Sequence, residues 1–301
     1  MNEESPMKAP PQSILLATDL SARCDRALDR AVSLSQFWRA KLVVLHVLED
    51  FRIADSDPTV PSWRRPAEPV AVAERQLLAD IGPIAETAHV IIDEGEPTET
   101  IVRMAEKMGC DLIVTGIARD ELFGRFILGT TVDRLLRNSR VPILVVKKRA
   151  RQRYGHIAVA TDFSESSRYA LEAAIRYFPS EKLTIFHAYT SPMSGLTTDS
   201  AEYRRKSQQV AEQEYDAFLK SMKSGEEIRR RARSFIEFGA PADVLREGVR
   251  DMNIDLVVLG TQGRSALSEV LIGSVAKHIV AELPCDALLV RKPKASAPAA
   301  A

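Results

Sequence analysis

The stretch Ile14-Leu-Leu-Ala-Thr-Asp-Leu-Ser21 occurs a second time, slightly altered, as Ile157-Ala-Val-Ala-Thr-Asp-Phe-Ser164. Each copy is a short apolar run that ends in Thr-Asp and leads to a serine. A short apolar run with polar borders is typical of a buried parallel strand. A serine just before a helical pattern is typical of an N-cap. Each stretch therefore predicts the first strand and the first helix start of an α/β domain.

The two stretches lie 143 residues apart, and further motifs repeat at almost the same spacing. Gly95-Glu-Pro corresponds to Gly239-Ala-Pro, and Asp111-Leu-Ile-Val-Thr-Gly corresponds to Asp255-Leu-Val-Val-Leu-Gly, each pair 144 residues apart. A period of this size is too long for a solenoid repeat, so each copy is predicted to be a complete domain. We place the two domains at residues 1–149 and 154–292. The basic stretch 147–153 between them is interpreted as a solvated linker, with a nucleic-acid contact as the alternative.

Apolar runs and helical spacing alternate along both copies. This alternation predicts α/β domains in which a parallel sheet is covered by helices on both faces, and right-handed crossovers make each domain doubly wound. In the first copy we predict strands near 13–18, 41–48, 87–93, 111–115 and 142–147, with a Pro-rich insertion from Glu49 to Pro69. In the second copy we predict strands at 157–161, 182–189, 228–238, 255–259 and 286–290. Four helices are predicted in this copy: one after Ser164, one that ends at Lys220, and two that span 242–252 and 274–282. A polar loop is predicted at 190–200.

The composition excludes several classes of protein. Lys plus Arg and Asp plus Glu are both 41 in the 301 residues, so the formal net charge is zero. A balanced chain lacks the charge of a general nucleic-acid or anionic-membrane binder. The three cysteines are far apart, which indicates reduced thiols in the cytoplasm. We expect no signal peptide in the polar segment 1–12, and no apolar run is long enough for a membrane helix.

The stretch that begins at Gly260 carries the main functional signal. Its pattern is Gly260-x-x-Gly263, nine residues, then Gly273-Ser274, and it lies between a predicted buried strand and a predicted helix start. Glycines let the backbone approach an anion closely, and the free N–H groups of a helix start attract negative charge. The pattern therefore predicts a phosphate site, with turn and packing glycines as the alternative. It is neither a P-loop nor a dinucleotide fingerprint.

These motifs together resemble the universal stress protein family in its tandem two-domain form. The resemblance rests on the Ala-Thr-Asp-Phe-Ser opening, His187 in the second strand, the Gly239-x-Pro turn, the glycine loop and the closing Pro284-x-x-Ala-Leu-Leu-Val. It covers nearly the whole chain. It implies a five-stranded parallel sheet of order 3-2-1-4-5 in each domain. It also implies ATP as the ligand of the glycine loop, with Mg²⁺ as the companion ion of ATP.

The resemblance implies individual roles in the second copy. Asp162 and the backbone at Ala188 hold the adenine end, while Ala160 and Thr161 line the base and ribose. The residues implied around the ribose and phosphates are Gly260, Gln262, Gly263 and Arg264, and those implied to cradle the phosphates are Gly273, Ser274 and Val275. From the sequence alone, Asp162 is alternatively an N-cap of the following helix, a role that can coexist with ligand binding.

The first copy departs from this pattern. Arg119 stands where Gly263 stands in the second copy, and Asp120-Glu121 replace Arg264-Ser265. A side chain at 119 blocks close backbone approach and two carboxylates repel phosphate, although Arg119 is alternatively a guanidinium ligand of a phosphate. We therefore expect weakened nucleotide binding in this copy. The positions that keep the scaffold are Asp19, Val47, Gly116, Gly129 and Thr130.

The remaining candidates and hypotheses are weighed as follows. His46 and His187 each follow strand residues and are interpreted as satisfied core histidines, with catalytic or metal-binding roles as the alternative; no His/Cys cluster has metal-ligand spacing.

The function that the sequence favours is that of an adenine-nucleotide-binding stress-response protein, which acts as a switch or adaptor for an unidentified protein partner. The alternative functions are a slow ATPase or other phosphoryl-handling enzyme, and a nucleotide-free interaction module. The family resemblance also implies that the two domains pair as an intrachain pseudo-dimer, with a further homodimer left open.

Overall fold

The computed structural model describes residues 10–21, 24–49, 69–119, 126–127, 129–190, 201–264 and 273–292. These residues form two compact units. The first contains the described residues from Pro11 to Ala118 and from Gly129 to Arg153. The second contains those from Tyr154 onward, together with Pro10 and the few described residues between 119 and 127. The predicted insertion at 50–68, the polar loop at 191–200 and the loop residues 265–272 lie outside the described residues.

The first unit alternates strands and helices along the chain. Its strands are β1 Ser13–Thr18, β2 Lys41–Leu48, β3 His89–Glu94, β4 Leu112–Gly116 and β7 Ile143–Val146. Its helices are α1 Asp25–Trp38, α2 Pro69–Ile81, α3 Pro97–Lys107 and α4 Thr130–Asn138, with a 3₁₀ turn at Gly82–Glu86. The two-residue strands β5 Ala118–Arg119 and β6 Phe126–Ile127 follow β4 along the chain, and the boundary between the two units falls within β5.

The second unit repeats this plan. Its strands are β8 His156–Ala160, β9 Lys182–Tyr189, β10 Ala232–Phe238, β11 Leu256–Gly260 and β12 Asp286–Val290. Its helices are α5 Glu165–Tyr177, α6 Ala201–Lys220, α7 Gly225–Arg231, α8 Pro241–Asp251 and α9 Ser274–Glu282.

All strands within each five-stranded sheet are parallel and follow the same order. In the first unit the order is β3-β2-β1-β4-β7, and in the second it is β10-β9-β8-β11-β12. Numbered within each unit, this is 3-2-1-4-5, so the predicted doubly wound α/β fold is confirmed. In such sheets the direction of the crossovers reverses at the first strand, and ligands bind beyond the carboxyl ends of the strands there. In the second unit this point lies at the ends of β8 and β11.

The central strands are apolar because helices cover both of their faces. Ile14, Leu15 and Leu16 of β1 are fully buried, as are Ala158 and Val159 of β8. Burial on both faces explains why these strands are continuous apolar runs rather than alternating ones. The apolar runs in the sequence therefore located the strands to within a few residues.

One predicted strand is too long. The segment from Ile228 to Arg231 belongs to helix α7, and strand β10 begins only at Ala232. Two glutamates lie in the first turn of α7 and three arginines in its last turn. This arrangement of charge complements the helix dipole, and Ile228 alone anchors the middle of the helix in the core.

Candidate functional site

The turn after β8 is fixed by its own polar side chains. The Thr161 hydroxyl oxygen lies 2.9 Å from the Ser167 hydroxyl oxygen, and it accepts a 3.0 Å hydrogen bond from the N–H of Phe163. Phe163 has φ of 64°, a left-handed conformation that is uncommon for a non-glycine residue. The Ser164 hydroxyl then accepts from the N–H of Ser167 at 3.2 Å and caps α5. Ser164 is therefore the N-cap, as predicted, and the alternative that Asp162 caps this helix is wrong.

Asp162 instead connects two loops. Its Oδ1 accepts a 3.1 Å hydrogen bond from the N–H of Ser164, two residues along the chain. Its Oδ2 accepts a 2.9 Å hydrogen bond from the N–H of Arg264 in the glycine loop. A carboxylate can accept about four hydrogen bonds, so each oxygen keeps capacity for a further donor.

Two glycines allow the loop after β11 to come this close. A Cβ at Gly260 would lie 2.8 Å from the backbone carbon of Ser166, and one at Gly263 would lie 2.9 Å from Oδ2 of Asp162. Real side chains do not tolerate such distances. Glycine at 260 is therefore needed for the packing of this loop against the backbone at the start of α5, whereas a side chain at 263 would require the Asp162 carboxylate to move.

The N-terminus of α9 lies at the same place. Gly273 is its N-cap and donates its N–H to the carbonyl of Thr261 at 3.0 Å. Among the residues that the structure describes, no side chain caps the N-terminus of this helix. The first turn, which begins at Ser274, therefore presents the uncompensated positive end of a helix, the kind of place where anions bind.

A cavity of about 570 Å³ opens between these elements. It brings together all of the residues that the sequence singled out in the second copy: Ala160, Thr161, Asp162, Ala188, Gly260, Gln262, Gly263, Arg264, Gly273, Ser274 and Val275. Its volume is in the range of pockets that hold small molecules.

Sequence reasoning missed the apolar part of the lining. Further lining residues are Ser167, Phe186, Pro241, Val244, Leu245, Leu259, Ala276 and Ile279. Most of them come from β9, β11 and the helices α8 and α9. The amphipathic spacing of these helices predicts a buried face but does not show which part of it borders a cavity.

The side chain of Arg264 points toward α6. Its Nη2 lies 2.9 Å from Oε2 of Glu214, and its guanidinium carbon lies 5.4 Å from the ring centroid of Phe163. The Phe163 ring in turn stacks on His187, with 4.1 Å between the ring centroids. The charge that was expected beside the phosphates is therefore paired with a carboxylate.

The two histidines occupy equivalent positions. Nδ1 of His46 lies 2.9 Å from the carbonyl oxygen of Thr18, and Nδ1 of His187 lies 2.9 Å from that of Thr161. Since a carbonyl only accepts, Nδ1 is the donor in both. Burial lowers the pKa of His187, while the hydrogen bond to Thr161 acts in the opposite direction. Both histidines are hydrogen-bonded as predicted, but only His46 is buried in the core, whereas His187 is half-buried.

The corresponding aspartate of the first copy, Asp19, is bonded within its own turn. Oδ1 of Asp19 accepts from the N–H of Ser21 at 3.0 Å and from its hydroxyl at 2.6 Å. Burial acts to raise the pKa of Asp19, but hydrogen bonds from Ser21 and from the Cys24 thiol outweigh it and lower this pKa. Burial raises the pKa of the Cys24 thiol to about 11. Asp162 makes the same bond within its own turn, and Asp120-Glu121, which correspond to Arg264-Ser265, lie outside the described residues.

The other singled-out positions of the first copy keep their places in the fold. Val47 lies in β2, Gly116 ends β4, and Arg119 lies in β5. Gly129 is the N-cap of α4 and Thr130 is its first residue. A cavity of about 10 Å³, room for about one water molecule, lies beside Thr18 and Cys24, and none of these positions lines it.

Two searches of the described residues give negative results. No group of three or more His, Cys, Asp or Glu side chains in them is placed to hold a metal ion. None of the helices that the structure describes combines the length and apolar character needed to cross a membrane.

Comparison with known proteins agrees with this geometry. The sequence pattern described as the universal stress protein family matches residues 11–147 and again 153–291. The chain therefore belongs to the universal stress protein family, as a tandem two-domain member. A universal stress protein of Methanocaldococcus jannaschii is 31% identical over 144 residues, which cover 47% of this chain and 84% of the relative.

Solved structures share the tandem fold. A protein of unknown function from Pseudomonas aeruginosa superposes with a TM-score of 0.66 at 18% identity, over 94% of this chain and 93% of the other. A universal stress protein from Archaeoglobus fulgidus superposes with a TM-score of 0.63 at 20% identity, over 93% and 98%. At these identities the likeness concerns the fold.

Proposed function

We propose that the second copy binds an adenine nucleotide, ATP, in the cavity of about 570 Å³, and that the protein acts as a nucleotide-dependent switch or adaptor in the stress response. The observation that carries this proposal is the uncapped start of α9 at the edge of that cavity. Its free N–H groups and dipole favour a phosphate chain. The glycine at 273 leaves room for it, since a Cβ there would meet nothing closer than 3.9 Å.

The other part of the cavity suits a base and ribose. Its wall is apolar at Phe186, Val244 and Leu245, and such a wall accepts the faces of a planar base. Asp162 and the backbone at Ala188 supply polar groups at its border. The residues present therefore fit a ligand with one aromatic end and one anionic end.

Asp162 is the one carboxylate among the described residues of the lining. A single carboxylate does not make a dedicated metal site, so Mg²⁺ would be held mainly by the phosphates of the ligand. When bound, this ion supplies charge neutralisation to the phosphate chain. The described lining residues include no histidine and no second carboxylate that could activate a water molecule, which favours ATP as a ligand with at most weak hydrolysis.

The first copy is proposed to bind nucleotide weakly or not at all. Arg119 replaces the glycine that lies beside Asp162 in the second copy, and Asp120-Glu121 replace Arg264-Ser265, so that two carboxylates stand where phosphates are expected. The two domain boundaries, the cytoplasmic location and the pairing of the copies as a pseudo-dimer stay predictions.

A matched pair of substitutions tests the proposal. Gly273 and Gly129 are both helix N-caps, with φ of −59° and −60°, and a Cβ at either position fits the available space. An aspartate at an N-cap accepts the free N–H groups of the first turn. Gly273→Asp therefore puts a carboxylate where the phosphate chain is expected, while Gly129→Asp makes the same change in the first copy.

Equilibrium dialysis with ATP should show at least a tenfold loss of affinity, about 1.4 kcal/mol, for Gly273→Asp and no change for Gly129→Asp. Thermal unfolding should show that neither variant is less stable than the wild type. The proposal is wrong if the wild type does not bind ATP at millimolar concentration, or if Gly273→Asp binds it as tightly as the wild type does.

A further inference from the structure

Gly248 lies inside α8, and nothing in its backbone requires glycine. It is not among the glycines with positive φ, and it stands three residues before the end of the helix. Glycine is less favourable than alanine inside a helix because it loses more conformational freedom. The reason for glycine at this position must therefore be spatial.

The space is taken by the ring of Phe186. A Cβ at Gly248 would lie 2.6 Å from Cζ and 2.7 Å from Cε1 of this ring. Carbon atoms that are not bonded to each other pack at about 3.5–4.0 Å, so an alanine side chain and the ring cannot both keep these positions. The missing side chain of Gly248 makes room for the edge of the ring.

The ring is held from other directions as well. The backbone of Phe186 accepts a 2.9 Å hydrogen bond from the N–H of Thr161, so the strand cannot move away. One face of the ring stacks on Phe235, with 5.5 Å between the centroids and 20° between the planes. Phe186 lines the cavity, whereas Gly248 does not. A side chain at 248 would therefore displace the ring into the cavity.

In the first copy, the sizes of the side chains at the two corresponding positions, one on the strand and one on the helix, are reversed. Strand β2 has Leu45 before its histidine where β9 has Phe186, and α3 has Met104 seven residues after its proline where α8 has Gly248. Both first-copy residues are buried. The copy with the large strand residue has glycine on the helix, and the copy with the smaller strand residue has methionine there.

We propose that Gly248 is a positioning residue for ligand selectivity: by letting the Phe186 ring withdraw toward α8, it opens the space for a planar base, so the site selects nucleotides over bare polyphosphate. This inference rests on the proposed nucleotide site in the second copy. A Cβ at Gly248 would meet the Phe186 ring, and neither residue is among those implied to hold the phosphates. A change at 248 should therefore affect a ligand with a base and leave one without a base unaffected.

Calorimetric titration with ATP and with inorganic tripolyphosphate tests this inference. Gly248→Ala should weaken ATP binding about tenfold and leave tripolyphosphate binding within twofold of the wild type. The double variant Gly248→Ala with Phe186→Leu removes the edge of the ring and should recover most of the ATP affinity. Glu247→Ala, on an exposed neighbouring position of α8, is the control and should change neither ligand.

The outcomes separate the two proposals. Equal ATP affinity of Gly248→Ala and the wild type would overturn the role of Gly248 while leaving the nucleotide site intact. A parallel loss for both ligands, or no recovery in the double variant, would also overturn it, since either result indicates general damage to the domain. Failure of the wild type to bind ATP would overturn the nucleotide site itself.

Discussion

Oδ2 of Asp162 accepts a 2.9 Å hydrogen bond from the backbone N–H of Arg264, which lies 102 residues further along the chain. This bond joins the turn after β8 to the loop after β11. These are the two neighbouring strands at which the order of the sheet reverses. One carboxylate thus fixes the opening of the cavity before any ligand arrives.

Asp162→Ala should destabilise the second unit and weaken ATP binding. The substitution leaves the N–H groups of Ser164 and Arg264 without this acceptor, and hydrogen bonds to charged groups contribute about 1.5–3 kcal/mol. We expect a lower urea midpoint and at least a tenfold weaker ATP affinity in calorimetry. Asp19→Ala is the matched control, because Asp19 bonds within its own turn. ATP affinity reduced equally by both substitutions would contradict this assignment.

Gly263→Ala should disturb the same contact from the other side. The added Cβ would lie 2.9 Å from Oδ2 of Asp162, so the carboxylate or the loop must shift. Gly155→Ala is a close control, since its Cβ would lie 3.6 Å from Oδ2 of Asp255, an ordinary contact. ATP affinity, measured by dialysis, should fall for the substitution at 263 and stay unchanged for that at 155. Equal affinities of the two variants would argue against a role of Gly263.

Ser164→Ala should lower the free energy of unfolding by about 1 kcal/mol, the usual effect of losing an N-cap. The Ser164 hydroxyl accepts from the N–H of Ser167, and alanine cannot replace it. Ser164→Gly should cost only a few tenths of a kcal/mol, because glycine leaves the helix end open to water. Urea unfolding followed by circular dichroism measures both variants. A smaller effect of alanine than of glycine would contradict the N-cap role.

The stability of the protein should fall as the pH drops below about 6.5. His156 is buried, with Nδ1 3.0 Å from the carbonyl of Met252 and Nε2 2.8 Å from the Thr184 hydroxyl. Burial lowers its pKa, with a further lowering from Lys182, while the bond to Met252 and the charge of Asp255 act in the opposite direction. The unfolded chain then binds the proton more readily, so this contribution is complete above the unfolded pKa and is lost as the pH falls through the folded one.

Unfolding free energies measured between pH 5 and 8, a range around the ordinary pKa of histidine of about 6.5, test this prediction. His156→Gln should reduce the pH dependence and leave part of it, because burial also lowers the pKa of His187. His278→Gln, at an exposed position of α9, should keep the wild-type profile. An unchanged slope in His156→Gln would show that His156 does not contribute.

A comparison of predicted and observed bounds shows which secondary-structure elements the local sequence pattern predicts. The strands β2, β9 and β12 and the helix α9 have the predicted bounds, because apolar runs and helix starts are local properties of the chain. The apolar pattern predicts the beginning of a strand where helix α7 lies, although two glutamates at its start and three arginines at its end favour a helix. The distribution of charge predicts the helix correctly there, whereas the prediction of a strand depends on the apolar residues that follow.

The site divides in the same way. Strand order predicts that Asp162 and the glycine loop face one crevice, because the ends of adjacent parallel strands meet at one edge of a sheet. The roles of Ala160, Thr161, Ala188, Gln262 and Val275 are implied only by the family resemblance. It did not show that Arg264 pairs with Glu214 of α6, or that Phe186 and Val244 form the apolar wall. Those facts depend on how helices that are distant in sequence pack over the sheet.

The order of residues by itself shows a duplicated, doubly wound α/β protein and predicts an anion site at the glycines of its second half. The spacing of apolar residues and the residues that form turns can be recognised in short stretches of the sequence, and the repetition can be recognised by comparing such stretches. The link from Asp162 to Arg264 and the fit of the Phe186 ring against Gly248 were decided only by tertiary structure. They join residues 102 and 62 positions apart, and the direction of a side chain there follows from packing, which no short stretch of sequence contains.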